Sequence, residues 1–408
     1  MTRLGDVCAI RYGKDHKKLS DGSIPAYGSG GIIRYVDTAI CEQPSVLIPR
    51  KGTLGNLFYT DEPFWTVDTL FWTDIDQTKI VPKYLYYQLK QKDLASYNVG
   101  TAVPSLTVEV LNEIDLDVPS IDKQRRIVEV LNSFDSKIAL NNQLNDYLAN
   151  LLDAAFANSA KSGSKEFGLP EVVDILSGGT PKTKNAEYWE DGRIPFFTPG
   201  DVTNSVYTLT TEKHITDVGL DNCNSELYPV DTVFLTARGT VGKVAIAGRP
   251  MAMNQSCFAF RGKSIPQSVV FQIIKNAVKT LRAKANGATF AAINTRDLKI
   301  ETVAVPCNKE IAHYDESASK WLDLIRTNEE ENLQLSALRD ILLPKLMSGE
   351  IDVSKVDLTQ LTNNHLAGRM HWSTVIRVRA IHAVHSRQSQ IPAYESVPRV
   401  LHSHVTPP

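Results

Sequence analysis

KGTLG at residues 51–55 returns as RGTVG at residues 238–242, 187 positions later. Two similar turns would say little. The same shift recurring around them would make the chain a duplication. Under that shift Gly100 meets Gly287, Leu111 meets Leu298, and Val118-Pro119 meets Val305-Pro306. Phe134 meets Trp321, Ile138 meets Ile325, Asn141 meets Asn328 and Asn145 meets Asn332. Leu148, Leu151 and Asp153 meet Leu335, Leu338 and Asp340. Nearer the two starts, Leu4-Gly5-Asp6-Val7 matches Leu169-Pro170-Glu171-Val172 at a shift of 165, so the second copy carries about 22 extra residues before its RGTVG. The chain therefore reads as two copies of one unit, with a period too long for a solenoid.

A chain of 408 residues is long enough for two or three domains with their own cores. No apolar run approaches the ~20 residues of a membrane span, and MTRLGDVCAIRYGKD lacks the apolar centre of a signal peptide. Cys8, Cys41, Cys223, Cys257 and Cys307 are scattered and form no CxxC pair. Neither a disulfide framework nor a zinc site is expected, and a reducing cytoplasm is the simplest setting. The net charge of −2 hides segregation: residues 236–300 hold eleven Lys/Arg against the single acid Asp297. Residues 185–235 hold nine acids against two bases, and residues 309–358 eleven against six. A polyanion responds to local charge rather than net charge, so the basic stretch points to nucleic acid, the alternative being a solvated basic face.

The expected class is α+β. Residues 1–120 read as a first mixed domain, with strand runs in SVLIPRKG, LFYTD and FWTVDTLFWTD and a short helix in VPKYLYYQLKQKDL. Residues 121–160 read as one long helix of about 50 Å, because Phe134, Ile138, Asn141, Asn145, Leu148 and Leu152 recur at steps of 4 and 3. AKSGSK at residues 160–165 reads as a linker into a second domain, residues 161–307. A second helix over residues 308–350 carries Trp321, Ile325, Asn328, Asn332 and Leu335 on its seam, with Pro344 and Gly349 marking its end. Two tandem copies can close about a pseudo-two-fold axis with antiparallel helices. Pairing residues whose numbers sum to 473 sets Ile138 against Leu335, Asn141 against Asn332, Asn145 against Asn328, Leu148 against Ile325, and Leu152 against Trp321. Buried asparagine layers would fix that register; the alternative leaves them in water at the seam edge. The 351–408 tail has no counterpart in the first copy and reads as translated frame-shifted sequence or a poorly ordered extension. Its His382 and His385 have no carboxylate or cysteine beside them, so no metal site is expected.

The motifs of catalysis are missing. There is no GxxxxGK, since GTVGK is too short; YGSGG lacks the spacing of GxGxxG; HExxH and GxSxG do not occur. The pentamers each sit between apolar runs and read as strand, tight glycine turn, strand. Such a turn can bring backbone N–H groups, a threonine hydroxyl and a cation to a phosphate or base edge, or can be a structural hairpin alone. Candidate DNA contacts there are Arg50, Lys51, Thr53, Arg238, Thr240 and Lys243. AYGSGGIIR at residues 26–34 contributes Tyr27, Ser29 and Arg34; its counterpart FFTPGDV, after the shared Ile24-Pro25 and Ile194-Pro195, contributes Thr198. SGGTPKTKNAEYW offers Thr180, Lys182 and Lys184, and MNQSCF offers Asn254 and Gln255, whose amides can read adenine.

LGDV…IPAYGSGG…RKGTLG…VPSIDKQRRIVEVL, followed by LPEVVDILSGGTPKTKNAEYWEDGRIPFFTPGDV…ARGTVGKVAIA…LLPKLMSGEI, resembles the specificity subunit of Type I restriction-modification systems over residues 1 to about 352. The resemblance implies two target recognition domains, each reading one half of a bipartite, asymmetric site on double-stranded DNA. It implies paired helices that set the gap between half-sites and dock two methyltransferase subunits, with restriction/translocase subunits joining through that complex. It implies no active site and no cofactor in this chain: S-adenosylmethionine, ATP and Mg would bind the partner subunits. VPCNKEIAHYDE departs from VPSIDKQRRIVE, with Glu310 and Ile311 where the first copy has Lys123 and Gln124, and the tail does not match. Two other readings compete with this one. A stand-alone DNA methyltransferase or nuclease would need a cofactor loop, and a coiled-coil scaffold would leave the basic stretch unexplained.

Overall fold

The computed structural model describes residues 2–100, 103–284 and 292–356. Gly287 and the histidines at 382 and 385 lie outside the described residues, as does the tail from residue 357.

The apolar run SVLIP becomes the strand Ser45–Pro49, buried at every position, and VFLT becomes Val233–Thr236, buried throughout. A continuous apolar run suits a strand covered on both faces. Each is central in its sheet. In the first copy the order is Cys8–Tyr12, Leu70–Ile75, Ser45–Pro49, Phe58–Thr60, all antiparallel. In the second it is Val173–Ser177, Cys257–Gly262, Val233–Thr236, Val244–Ala247, and then a fifth strand, Tyr207–Thr208, parallel to its neighbour. A three-stranded sheet accompanies each: Gly31–Val36, Asp21–Gly28, Trp65–Thr66 in one copy and Lys213–Ile215, Ile194–Phe197, Ala252–Met253 in the other, with the last pair parallel in both. The duplication thus extends to strand order, and Tyr207–Thr208 is the addition. Of the segment expected as a linker, Ala160 and Lys161 end the helix Ile121–Lys161, and Ser164 and Lys165 begin the strand Ser164–Gly168, paired with Thr302–Pro306. It matches Thr2–Arg3 on Asp115–Leu116 in the first copy.

Two helices of 41 residues each, Ile121–Lys161 and Asn308–Ser348, follow the sheets. Each is ~60 Å long. They lie side by side and run in opposite directions. Asn141 donates to Asn332 at 2.9 Å, Asn328 to Asn145 at 2.8 Å, and Arg339 to Asp135 at 2.8 Å. Asn141, Asn145 and Asn328 are buried, and Asn141 also donates to Glu331 at 2.8 Å. Asn332 turns partly outward and donates to Asn142 at 2.8 Å. Leu148, Leu152 and Ile325 lie in the main core with Trp321 packed against it, and Leu335 is buried. Ile138 is only half-buried. Pro344 does not end the second helix but lies inside it. The stop is Gly349, whose φ of 78° only glycine adopts without strain.

That core joins the second copy's sheet and its helix Gln267–Lys284 to both long helices, through Phe156, Tyr314, Ala318 and Leu322. The Phe156 and Tyr314 rings meet edge to face at 5.4 Å. The first copy joins the helices differently. Gln124, fully buried, accepts from Val81 N at 2.8 Å and donates to the carbonyls of Lys79 and Pro119. Ile311, its counterpart, is an apolar core residue. Asp135 accepts from the Tyr87 hydroxyl at 2.8 Å and faces Lys83 at 3.5 Å.

Candidate nucleic-acid interface

Four loops of the second copy are tied to one another. Gly179 N donates to Met253 O at 3.0 Å, Asn254 N to Phe197 O at 3.0 Å, and Ala237 N to Ser256 O at 2.8 Å. The Thr240 hydroxyl donates to Pro199 O at 3.0 Å, and the Thr180 hydroxyl bonds to the Gln255 amide. The loop after Val173–Ser177, the loop after Ile194–Phe197, the pentamer loop and the loop after Ala252–Met253 therefore make one cluster. The first copy builds the same cluster from the same four places. Lys14 N donates to Thr66 O at 2.8 Å, Val67 N to Tyr27 O at 3.0 Å, and Arg50 N to Thr69 O at 2.9 Å. Asn56 donates to Ser29 O at 3.2 Å.

The pentamers are not tight turns. They belong to loops of seven or eight residues between paired strands, over residues 50–57 and 237–243. Gly52 has a φ of 91°, which glycine adopts without strain. Gly242, with φ of 79°, leaves room for Arg282, whose Nη2 would lie 2.8 Å from an added Cβ and donates to Val241 O at 2.8 Å.

Among the described residues Lys51, Lys182, Lys184, Arg238 and Lys243 are exposed and pair with no carboxylate. Thr53 is exposed beside Lys51, and Thr240 and Gln255 are exposed in the second cluster. Arg50 is half-buried; it donates to Asp68 O at 3.2 Å and lies over the Tyr12 ring at 5.3 Å. Asn254 accepts from Ser256 N at 3.0 Å, which shapes the loop. Three of the expected contact residues also make contacts within the protein. Arg34 is paired with Asp21 at 2.7 Å and donates to Leu19 O at 3.1 Å. The Thr198 hydroxyl caps a short turn through Asp201 at 2.7 Å. Tyr27 packs on Phe58 at 5.9 Å, and burial pushes its phenol above the ordinary range, with a Thr60 bond opposing. The basic stretch at 236–300 is not one face either: Arg261 pairs with Glu226 at 3.1 Å, Lys263 with Asp174 at 3.9 Å and Lys275 with Asp153 at 2.5 Å. Their acids lie far away in sequence, so a one-dimensional charge count misses the neutralisation.

Sequence reasoning passed over Lys14, Lys17 and Lys18. They are exposed in the first-copy loop that corresponds to SGGTPKTK, and no carboxylate pairs with them among the described residues. The signal was available: the shift of 165 found at the two starts carries Lys17 onto Lys182. Both clusters so carry small hydroxyls and cations that no carboxylate pairs with, on exposed loops. That combination suits phosphate and base-edge contact. No group of three or more His, Cys, Asp or Glu placed to hold a metal occurs among the described residues. No helix there is long and apolar enough to cross a membrane.

Known proteins show the same organisation. The family described as Type I restriction modification DNA specificity domain matches residues 1–150 and again residues 161–334, one match per copy. The chain is 30% identical over 172 residues to the Type I restriction enzyme MjaIX specificity subunit of Methanocaldococcus jannaschii, covering 40% of this chain but only 39% of that protein. It is 22% identical over 396 residues to the Type I restriction enzyme HindI specificity subunit of Haemophilus influenzae, covering 74% of this chain and 85% of that one. The crystal structure of the Type I restriction-modification S subunit from M. genitalium shares the fold, with a TM-score of 0.53, 17% identity and coverage of 85% and 95%. With both copies matched over most of its length, the chain belongs to the Type I restriction-modification DNA specificity family.

Proposed function

We propose that this chain is the non-catalytic DNA sequence-specificity subunit of a Type I restriction-modification complex, and that each recognition domain reads one half of a bipartite, asymmetric duplex target. One observation carries the reading: two equivalent loop clusters, built from the same four strand ends, sit on related domains joined by an antiparallel helix pair. The loops differ in residue while the scaffold repeats, which suits two different half-sites. The long helices act as a coiled-coil ruler with pseudo-two-fold symmetry, since a stiff pair ~60 Å long can hold two readers on one face of the duplex. The helices also dock two methyltransferase subunits. Leu140, Leu144 and Tyr147 support this: they follow one face of the first helix and are 58%, 38% and 61% exposed. Restriction/translocase subunits join through that complex. S-adenosylmethionine, ATP and Mg belong to these partners, and the assembly works in the cytoplasm, where the DNA is.

The test is methylome sequencing of a host with and without this gene, with the cognate methyltransferase supplied. New adenine methylation in one bipartite motif with a fixed gap is expected. No new methylation, with the partners expressed, would overturn the reading.

A further inference from the structure

The strand Tyr207–Thr208, which has no counterpart in the first copy among the described residues, hydrogen-bonds to Val244–Ala247 on one side. On the other side its approach meets no strand. The backbone N–H groups of Val206 and Tyr207 donate to the two oxygens of Glu329, at 3.0 and 3.2 Å, on the second long helix. Glu329 is 7% exposed, and no cation pairs with it among the described residues. Shifted back by 187, Glu329 stands where the first helix has Asn142. Asn142 turns instead to the partner helix and accepts from Asn332. The added strand and the carboxylate that receives it therefore occur together, in the second copy alone.

A buried carboxylate with no counter-charge is a poor choice for packing, since an apolar side chain would fill the same space at lower cost. What a carboxylate does supply is two acceptors in one plane. Bound to two successive amides, they fix the rotation of the strand against the helix as well as its distance. Arg326, one turn earlier, strengthens the same contact. It faces Asp231 at 3.8 Å and lies over the Tyr207 ring at 5.9 Å, while the Tyr207 hydroxyl donates to Asp231 at 3.2 Å. A small rotation at this joint would be carried to the loop cluster, because residues 199–206 run from the Thr198 loop straight to the strand that Glu329 holds.

We propose that Glu329 is a positioning residue: it sets the angle of the second recognition domain on the helix pair, and so the gap that the protein accepts between half-sites. The proposal rests on the reading of the helices as a ruler. It is tested with the full chain assembled with its methyltransferase subunits, on labelled duplexes bearing the motif found by methylome sequencing. The duplexes carry the natural gap, or a gap one base pair shorter or longer. In Glu329→Ala, which loses the bonds from both Val206 and Tyr207, the preference for the natural gap falls tenfold or more, since one hydrogen bond to a charged group is worth about tenfold. Discrimination against base changes within each half-site is kept. Glu329→Gln retains one acceptor and falls between. A soluble, assembled Glu329→Ala or Glu329→Gln complex with wild-type gap preference overturns the proposal, and the glutamine variant decides if the alanine one does not fold. A wild-type complex indifferent to gap length would instead overturn the ruler itself.

Discussion

Arg238 shows what a single side chain is expected to do here. It is exposed at the pentamer, free of any carboxylate among the described residues, and held by its own backbone N–H to Ser256 O at 3.3 Å. Arg238→Ala should weaken DNA binding and lower the slope of log K against log salt by about 1 if the side chain meets a phosphate. Fluorescence anisotropy at several salt concentrations measures this. A loss confined to one half-site sequence, with the salt slope unchanged, would mark it as a base reader instead. Glu329 makes a second prediction. Burial raises its pKa from 4.5 to about 7, against the opposing bonds from Val206 and Tyr207. Near it stand Tyr207 on the added strand and Asp201 in the loop before it, with Asn142 from the first helix lining the same cleft. The folded protein therefore binds more protons than the unfolded chain between those two values. Its contribution is complete below the unfolded value and is lost as pH rises through 7, by about 3 kcal/mol. Glu329→Gln should show a flatter dependence of Tm on pH between 5 and 8, with the gain over wild type at the alkaline end. An unchanged profile would mean that Glu329 stays ionised across that range.

At the scale of the helix pair, the buried Asn145–Asn328 layer is expected to trade stability for register. Replacing both residues with leucine should raise Tm while loosening the choice of gap. Calorimetry reads the first and the gapped duplexes the second. A lowered Tm would show that the site is too wet or too narrow for leucine. Phe156 lies lower on the same helix, 3% exposed against Tyr314 and the second copy's core. Phe156→Ala should cost about 3–5 kcal/mol in denaturant titration, because a large cavity opens where helix and domain join. The first domain's joint adds ion pairs to the buried Ile127, Leu131 and Phe134 of the first helix. Burial pushes the Asp135 carboxyl up, but bonds from Arg339 and Tyr87 and the charges of Lys83 and Arg339 outweigh that and hold it below its usual range.

At the scale of the whole molecule, the proposed half-site reading ties the shape of the duplicated protein to the shape of its target. Two unlike domains on an antiparallel pair suit an asymmetric site. A chain in which the first copy replaces the second should then favour an inverted-repeat target, each half being the first half-site. Methylome sequencing of a host carrying that chimera gives the answer directly, and an unchanged asymmetric motif would count against half-site reading by separate domains.

Much of this was legible in one dimension, because the signals are local. The 4-and-3 spacing from Phe134 to Leu152 needs only a helix to become a stripe, and one shift aligns the copies whatever their fold. The same shifts carry Lys17 onto Lys182 and Asn142 onto Glu329. What the sequence could not decide depends on neighbours distant along the chain. Arg34 pairs with Asp21 across a hairpin, Lys275 pairs with Asp153 on another helix, and the Thr198 hydroxyl donates to Asp201. AKSGSK has linker composition, but its last two residues, Ser164 and Lys165, pair as a strand, since the edge at Thr302–Pro306 offers them hydrogen bonds. By itself, then, the sequence determined that this protein is doubled, where its helices run and which loops are polar. Only the tertiary structure decided which loops meet, which cations stay free and how each domain is fastened to the helices. Those are matters of hydrogen-bond and ion-pair geometry between segments far apart in the chain.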